Sequence, residues 1–341
     1  MSPVVSIVLP VKNAQKHLSE CLESIQSQSL KSWELLAIDD HSIDGTRLIL
    51  DEFALRDERI IVRKNPGFGL VDALNYGIDQ SRTSLIARMD GDDIMHPTRL
   101  EKQVHFLSQK KSIGLVACKV EHFPQATDNE RKGYQHYVEW TNSIISPESH
   151  SINRFIDCPF AHPSATFRKE LIRKHGGYRN GDHPEDFELW LRWLSMGIRM
   201  EKIPEILLSW RDQPDRCSRV DPRYSQSAFH KIKTSYLKQW LENELSLKER
   251  MIVCWGAGRI AKKIFRCLES EGIHVSSFLD PDPKKIGKKI SSLPIKAPDQ
   301  LPSPKNCFIL ILASARGARQ EIIEFLTSKK FRVGEDFLAL A

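Results

Sequence analysis

Over its first hundred residues the chain alternates short apolar runs with amphipathic helical segments, and this alternation constrains the fold more than any other feature. The runs "VVSIVLPV", "WELLAIDD", "RIIVRKN" and "SLIARMD" have the length and apolar character of buried strands. After the first run, Leu18, Cys21, Leu22 and Ile25 follow the i, i+3, i+4, i+7 spacing of one helix face. Strands that alternate with short helices are typical of an α/β fold with a mainly parallel, doubly wound sheet.

A second, shorter alternation begins with the run "MIVCWGAG". With 341 residues, the chain is long enough for about two domains. We therefore predict a larger α/β domain over residues 1–224, a helical linker over 225–249 and a small α/β domain over 250–341. Residues 124–156 are polar with little periodicity, and long segments of this kind are often functional or mobile.

Composition excludes several classes of protein. No apolar run approaches the roughly 20 residues of a membrane helix, and the N-terminus lacks the charged region that opens a signal peptide. The seven cysteines are scattered and form no C-x-x-C pair. This favours reduced thiols in a cytoplasmic protein over disulfides or a zinc site.

The net charge of +6 comes from the C-terminal part, where Lys and Arg outnumber Asp and Glu by 16 to 9 from Arg250 onward. Such a surplus is commonly a solvated surface, and it would also suit peripheral contact with the inner face of an anionic membrane. It is modest and lacks an aromatic-basic motif, so we expect no nucleic-acid partner.

Polar residues follow the predicted strands at the points where the strands end. Asp39 and Asp40 follow the second strand, Asn65 the third, and Asp90–Asp93, with the sequence Asp-Gly-Asp-Asp, the fourth. Asp and Gly are ordinary turn formers, so a solvated turn is one interpretation. Ligands of parallel sheets bind beyond the carboxyl ends of the strands, which favours instead a site for a hard divalent cation such as Mg²⁺ or Mn²⁺.

Five segments carry a family resemblance, in the order "VSIVLPVKN", "WELLAIDDHSIDGT", "NPGFGLVDALNYGI", "IARMDGDDIMHPTRLEKQV" and "PEDFELWLRWL". On these segments the first domain resembles the family 2 glycosyltransferases of GT-A fold. The resemblance implies an inverting transferase that moves a sugar from a nucleotide-diphosphate donor, with a UDP-sugar favoured, to a hydroxyl group. The implied acceptor is a saccharide or lipid-linked saccharide in polysaccharide or glycoconjugate synthesis, and the implied cofactor is Mn²⁺ or Mg²⁺.

By this resemblance Asp92 contacts the metal directly, Asp90 lies near the ribose or the metal, and Asp93 supports them. The other implied donor contacts are Pro10, Asn13, Asp39, Asp40, Asn75, Arg88 and Arg211. A turn at the strand end is an alternative for Asp39, and a structural ion pair is an alternative for Arg88 and for Arg211. The chain has Asp212 where the family commonly has a histidine, which puts a histidine contact to the metal or diphosphate in doubt.

Inversion in one displacement needs a base that takes the acceptor's proton. Asp186 of "PEDFELW" matches the family's catalytic acid, with Glu185 beside it as an orienting or alternate group. Two acids in the first turn of a helix can also serve only to complement the helix dipole. His162 and His183 fall near the acceptor side, and we expect each to be structural.

In the second domain, the run "MIVCWGAGRIAKKI" places Gly256 and Gly258 between a strand and a helix, and Asp280 ends the next strand. This is the layout of a dinucleotide-binding unit. The pattern resembles the small Rossmann-like domains appended to some sugar-modifying transferases, including sugar C-methyltransferases. A structural or docking role, binding of a nucleotide or nucleotide sugar, and an NAD-dependent activity stay open at this point. The chain lacks the Tyr-x-x-x-Lys sequence that would favour a short-chain dehydrogenase or epimerase.

Two other functions are weighed against glycosyl transfer. A sugar-phosphate nucleotidyltransferase is disfavoured because "LPVKNAQKHL" has no glycine after the first strand. A non-catalytic nucleotide-sugar-binding module is disfavoured because acids are retained both at Asp90–Asp93 and at Glu185 and Asp186.

Overall fold

The computed structural model describes residues 2–123, 132–213, 216–244 and 249–341. It contains two compact units. The first consists of residues 1–150, 159–181 and 185–220, and the second of residues 151–158, 182–184 and 221–341. The domain and linker boundaries expected from the sequence stay predictions, because a compact unit need not fold on its own.

The strands, in chain order, are β1 (Val5–Val11), β2 (Trp33–Asp39), β3 (Ile60–Lys64), β4 (Leu85–Arg88), β5 (Ile94–Met95), β6 (Ile113–Phe123), β7 (Thr166–Arg168), β8 (Arg199–Arg211), β9 (Met251–Trp255), β10 (Val275–Leu279), β11 (Lys289–Ile290), β12 (Leu293–Lys296), β13 (Cys307–Ile311) and β14 (Phe337–Ala339). The α-helices are α1 (Leu18–Gln26), α2 (Thr46–Arg56), α3 (Leu70–Gln80), α4 (Arg99–Gln109), α5 (Lys132–Ser143), α6 (Pro147–Asn153), α7 (Lys169–His175), α8 (Glu185–Ser195), α9 (Cys217–Val220), α10 (Gln226–Asn243), α11 (Arg259–Ser270) and α12 (Ala318–Ser328).

The described part of the first unit is built on an eight-stranded sheet of order β3-β2-β1-β4-β7-β6-β8-β5. Strands β3, β2, β1 and β4 run parallel to one another, with Val5 opposite Trp33 and Val8 opposite Arg88. The predicted α/β fold with a parallel-dominated sheet is confirmed. Because these four strands run in one direction, the polar residues that follow them meet at one edge of the sheet.

Helix α1 shows why the first unit packs as it does. Its Leu18, Cys21, Leu22 and Ile25 are all fully buried, as their spacing predicts, and they join a core with the strand residues Ile7, Leu9 and Leu35. Strand β1 has all seven residues buried, since helices cover both faces of such a sheet and leave little room for an alternating pattern.

The other half of the sheet, formed by β7, β6, β8 and β5, fixes the position of residues 89–93, which we call the acid-rich loop. Strand β7 pairs antiparallel with β4 and β6, and β5 pairs antiparallel with β8, where Ile94 faces Ser209. Residues 89–93 therefore join two strands of the same sheet, β4 and β5. Helices α5 and α6 lie in the polar region whose sequence shows little periodicity; residues 124–131 of that region are outside the described part of the chain.

The second unit, in its described residues, has a six-stranded sheet of order β11-β12-β10-β9-β13-β14. Its strands are parallel except β11. The core includes Val253, Trp255, Leu279 and Ile309. Helix α10 belongs to this unit, where its buried Lys233 donates to the backbone carbonyls of Ile156 and Leu340. None of the described helices is long and apolar enough to span a membrane.

Candidate active site

Three carboxylates converge in the loop between β4 and β5. One carboxylate oxygen from each of Asp90, Asp92 and Asp93 lies within 4.8 Å of the other two. Asp93 is buried, and the other two are partly buried. Carboxylates so close repel each other, and each resists losing its hydration. The arrangement needs compensating groups or a cation.

Asp93 is the most buried of the three acids, so its ionised form is destabilised most by lost hydration and by repulsion from the other two. Its Oδ1 accepts the backbone N–H of Arg211 at 2.8 Å, whereas its buried Oδ2 has no hydrogen-bond partner among the described residues. Burial, and after it the charges of Asp92 and Asp90, raise the pKa of Asp93 well above its usual range. A buried carboxylate oxygen left without a partner, beside two more carboxylates, fits a hard divalent cation.

Arg211 at the end of β8 and Gln213 just after it also hold the acid-rich loop. The Oδ2 of Asp92 accepts the side-chain amide of Gln213 at 2.9 Å, and the Asp92 carbonyl accepts Nε of Arg211 at 2.6 Å. Arg211 also forms an ion pair with Glu20 of α1, and its guanidinium carbon lies 4.7 Å from the Phe123 ring centroid. Arg211 is only 8% exposed, so the geometry favours a structural role for it over a direct phosphate contact.

Asp212, at the position where the family commonly has a histidine, is engaged elsewhere. Its carboxylate accepts from Arg219 at 2.7 Å and lies 3.2 Å from Nε2 of His122. His183 falls in the segment 182–184 of the second unit.

Arg88 lies between the acid-rich loop and a second pair of acids. Its guanidinium is 2.6 Å from Oδ1 of Asp90, and it donates to the carbonyl of Met89. Arg88 is 2% exposed. Its charge also acts on Glu185 and Asp186 at the start of α8. The charge of one buried cation thus acts on both acidic groups.

Glu185 is buried and Asp186 is partly buried at the N-terminus of α8, where the helix dipole favours negative charge. Oδ1 of Asp186 accepts the backbone N–H of Phe187 at 2.7 Å. Burial, and after it the charge of Glu185, raise the pKa of Asp186 to about 8. A carboxyl group with a raised pKa beside a second carboxylate is suited to proton transfer.

At the ends of β1 and β2, hydrogen bonds tie two loops together. Asn13 has a left-handed φ of 50°; its N–H donates to Oγ of Ser42 at 3.0 Å, and its Oδ1 accepts the Ile43 N–H at 2.9 Å. Oδ1 of Asp39 accepts the N–H of Ser42 at 3.0 Å, which is the turn foreseen as an alternative for this residue. Pro10 pairs with Ile38 inside the sheet.

Asp40 is the buried acid of this corner. It accepts from the Asn65 amide at 2.7 Å, the Gly69 N–H at 2.8 Å and Lys12 at 3.3 Å. Burial by itself would raise the pKa of Asp40, but these donors outweigh it and lower that pKa. The result is an ionised carboxylate at the sheet edge, a group that can accept hydroxyl or amide donors of a nucleoside.

Asn75, expected beside the donor, is hydrogen-bonded to the backbone of Tyr178. Its amide nitrogen donates to the Tyr178 carbonyl and its amide oxygen accepts the Tyr178 N–H, both at 2.9 Å.

Sequence reasoning missed Tyr178, Gln213 and Glu20 as neighbours of the site. The "GGY" and "RDQPDR" segments contain two of these residues, but their partners are distant in sequence and no local pattern indicates them.

In the second unit, the carboxylate of Asp280 closes the glycine turn. Its Oδ2 accepts the Ala257 N–H at 2.8 Å, its Oδ1 accepts the Asp282 N–H at 3.0 Å, and Lys285 lies 3.1 Å away. A Cβ on Gly256 would lie 2.9 Å from the backbone nitrogen of Ala313, whereas Gly258 has open space. A ribose contact at Asp280 would therefore compete with bonds that already exist.

Comparisons with known proteins identify the family of this chain and its fold. A family model described as Glycosyl transferase family 2 matches residues 6–176. EpsE of Bacillus subtilis is 32% identical over 229 residues, covering 65% of this chain and 78% of EpsE. The Escherichia coli UDP-Gal:alpha-D-GlcNAc-diphosphoundecaprenol beta-1,3-galactosyltransferase is 30% identical over 218 residues, covering 63% of this chain and 76% of that enzyme. A crystal structure of S. aureus TarS residues 1–349 with UDP-GlcNAc has a TM-score of 0.54 at 14% identity, over 79% of this chain and 80% of that one, which shows a shared fold.

Proposed function

This chain belongs to glycosyltransferase family 2, and from that premise we propose an inverting, metal-dependent transfer of a sugar from a nucleotide-diphosphate donor to a hydroxyl. A UDP-sugar is the favoured donor. The observation that carries the proposal is the position of Arg88, which neighbours both the acid-rich loop and the Glu185–Asp186 pair. The family assignment sets aside the nucleotidyltransferase and the non-catalytic binding module.

Asp90, Asp92 and Asp93 would hold Mn²⁺ or Mg²⁺, with Asp92 in direct contact. When bound, the ion would supply positive charge that stabilises the departing diphosphate. Gln213 and Arg211 keep the loop in one conformation through their bonds to Asp92 and Asp93. A site fixed in this way needs little rearrangement when the donor arrives.

The nucleoside would lie at the ends of β1 and β2. Asp40 offers an ionised carboxylate there, and the loops carrying Asn13 and Asp39 are already hydrogen-bonded to each other. Pro10 in β1 and Asn75 in α3 would shape this end of the pocket. Arg88 and Arg211 would act on the donor through the acids that they hold.

The chemical step is a single displacement. The acceptor oxygen forms a bond to the anomeric carbon while the bond from that carbon to the diphosphate oxygen breaks, and the bonding electrons leave with the diphosphate. The acceptor's proton passes to the carboxylate of Asp186. Attack from the face opposite the leaving group inverts the anomeric centre. Asp186 is suited to this task because its raised pKa makes it a stronger base than an exposed aspartate.

A panel of nucleotide sugars with Mn²⁺ or Mg²⁺, scored by release of nucleoside diphosphate, tests the proposal. We expect turnover that needs the metal and falls at least about a hundredfold in Asp186→Asn and in Asp92→Ala. Asp51→Asn is the control, since Asp51 forms only an exposed pair with Arg47 on α2. Full activity in both site variants would refute the assignment of the site.

For the acceptor we propose a saccharide or lipid-linked saccharide, reached by peripheral docking on a membrane. The support is the basic surplus of the C-terminal part and the lipid-linked acceptor in the name of the galactosyltransferase relative. Three lysines are exposed in one segment of the second unit, Lys284 and Lys288 in the loop before β11 and Lys289 at the start of β11. Flotation with anionic vesicles should drop when all three are changed to Gln. Equal flotation of both proteins, or equal binding to neutral vesicles, would refute membrane docking through this segment.

A further inference from the structure

A buried row of three polar side chains ends at the acid pair of α8. The hydroxyl of Tyr178 lies 2.7 Å from Nε2 of His162. On the other side of the same ring, Nδ1 of His162 lies 3.7 Å from Oε1 of Glu185. All three residues are less than 8% exposed. The longer distance is an electrostatic contact rather than a hydrogen bond, and contacts of this kind often tighten when a substrate binds.

The backbone, and not the hydroxyl, fixes the position of Tyr178. The Asn75 amide binds both backbone groups of Tyr178, and the Arg192 guanidinium donates to the carbonyls of the three residues before it, at 2.6 Å for Gly177 and 3.0 Å for Gly176. Glu188 in turn holds Arg192 at 2.9 Å. The tyrosine ring should therefore keep its place when its hydroxyl is removed.

The surroundings of His162 fix which ring nitrogen carries the proton. Burial, and after it the charge of Arg88, lower the pKa of His162 well below its usual value, so the ring is neutral and has a single N–H. Burial raises the pKa of Tyr178, so its hydroxyl stays protonated and can donate to Nε2. The ring proton is then on Nδ1, where it faces the Glu185 carboxylate. The opposite tautomer would place a lone pair against that carboxylate, which is unfavourable unless Glu185 is protonated.

Resting on the proposed role of Asp186 as the base, we infer that Tyr178 and His162 are positioning residues for the acid pair. Through the Nδ1 proton of His162 they orient the Glu185 carboxylate and offset part of its charge, so that Asp186 is the member of the pair that exchanges the acceptor's proton. His162 was expected from the sequence to be a structural residue; this inference gives it a part in the reaction without substrate contact.

Charged and titratable groups from elsewhere in the fold also act on this pair, including Arg88 at the end of β4 and Tyr178 after α7. Asp90, in the loop after β4, pairs with Arg88. Removing the Nδ1 proton donor leaves these groups in place and lets the charge of Glu185 act more fully on Asp186, which raises the pKa of Asp186 further. The acidic limb of the pH–kcat profile should then move to higher pH.

The test compares Tyr178→Phe, His162→Gln and His162→Asn. Asn places its amide nitrogen at the position of Nδ1, and Gln places its amide nitrogen one bond further along, at that of Nε2. We expect the acidic limb to rise by about one pH unit in Tyr178→Phe and in His162→Gln, which corresponds to about a tenfold loss of kcat at pH 7. Activity should return towards that of the unchanged enzyme above pH 9, with the donor KM within about twofold, and His162→Asn should restore part of the loss.

His150→Gln is the matched control. His150 is also fully buried in the first unit, stacks on Phe160 at 4.3 Å, and has no acidic partner among the described residues. Its loss should lower stability without moving the pH profile. If Tyr178→Phe and His162→Gln lower kcat equally at every pH, as a purely structural defect would, the inference is overturned.

The outcomes separate this inference from the proposed function. If Asp186→Asn keeps full turnover, the proposed base is wrong and the positioning role falls with it. If Asp186→Asn is inactive but the Tyr178 and His162 variants keep the unchanged profile, only the positioning role is wrong. Nitrogen NMR of labelled histidine gives a reading independent of turnover: His162 should be protonated on Nδ1, and a proton on Nε2 would overturn the inference.

Discussion

The backbone N–H of Arg211 donates to the buried carboxylate of Asp93 at 2.8 Å, across 118 positions of sequence. Strand β8 thereby determines the shape of a loop that begins at the end of β4. The pairing of β5 with β8 adds a second attachment, with Ile94 opposite Ser209. The proposed metal site is thus supported by strands from both the parallel and the antiparallel half of the sheet.

Replacing Arg211 by Met should loosen this loop. The change removes the guanidinium bonds to the Asp92 carbonyl and to Glu20 but keeps the backbone bond to Asp93. We expect a loss of about 1–3 kcal/mol in the free energy of unfolding and activation that needs a higher Mn²⁺ concentration. Urea denaturation and Mn²⁺ titration of turnover measure the two effects. Arg47→Met, in an exposed helix pair with Asp51, should cost well under about 1 kcal/mol; equal effects in the two variants would contradict the prediction.

Because of the Glu185–Asp186 pair, kcat should be highest at basic pH. Since the pKa of Asp186 is raised to about 8 by burial and by Glu185, and the base must be ionised to accept a proton, kcat should rise with pH and level off above about 8. Glu185→Gln removes the neighbouring charge and should move this limb to lower pH. A profile that is flat from pH 6 to 9 would contradict the assignment of Asp186 as the base.

Asp186 should also make the free energy of unfolding decrease as the pH rises. A folded-state pKa above the unfolded value of about 3.9 means that Asp186 contributes most below that value and that its contribution is lost as the pH rises through about 8. Asp186→Asn should therefore gain stability over the unchanged protein between pH 5 and 8, and the gain should stay constant above that range. Denaturation at pH 5, 7 and 9 checks this, and a gain that does not grow with pH would count against it.

The Asn75 amide clamps the backbone of Tyr178 through two hydrogen bonds. This clamp predicts that a side chain at Gly177 lowers stability strongly. A Cβ there would lie 2.4 Å from Oδ1 of Asn75, so Gly177→Ala should displace the amide and cost about 1–3 kcal/mol in the free energy of unfolding. Gly133→Ala, at a helical position with nothing within 4 Å, is the matched change and should be neutral or stabilising. Thermal unfolding of the two variants decides, and a Gly177→Ala protein as stable as Gly133→Ala would refute the clamp.

The two glycines of the second unit should respond differently to the same change. Gly256 has φ +114°, and a Cβ there would meet the Ala313 backbone at 2.9 Å, so Gly256→Ala should destabilise by more than about 1 kcal/mol. Gly258→Ala has open space and should fold normally.

The same pair of variants tests whether the turn binds a nucleotide. If it does, Gly258→Ala should weaken binding of the nucleotide or nucleotide sugar, measured by calorimetry on the full chain. If the turn is only structural, binding should be absent in both Gly258→Ala and the unchanged protein. Equal stability of Gly256→Ala and Gly258→Ala would contradict the close approach of the Ala313 backbone to Gly256.

The sequence by itself determined the parts of this protein that depend on local pattern. The period of the apolar residues in β1 and α1, the acids after β4 and the acids that begin α8 can be recognised within windows of a few residues, because strand and helix geometry repeats along the chain. Parallel strands then bring the acid-rich loop to the same sheet edge as Asp39 and Asp40.

Only the tertiary structure decided how the site is held. The bonds of the Arg211 guanidinium to the Asp92 carbonyl, of Asn75 to Tyr178 and of Asp280 to Ala257 join residues 119, 103 and 23 positions apart. Each of these side chains could equally have bound a ligand, since a guanidinium, an amide or a carboxylate offers the same donors and acceptors to a phosphate, a ribose or a backbone group. Which partner it meets depends on chain segments brought together by folding of the whole sheet, and no local pattern records that.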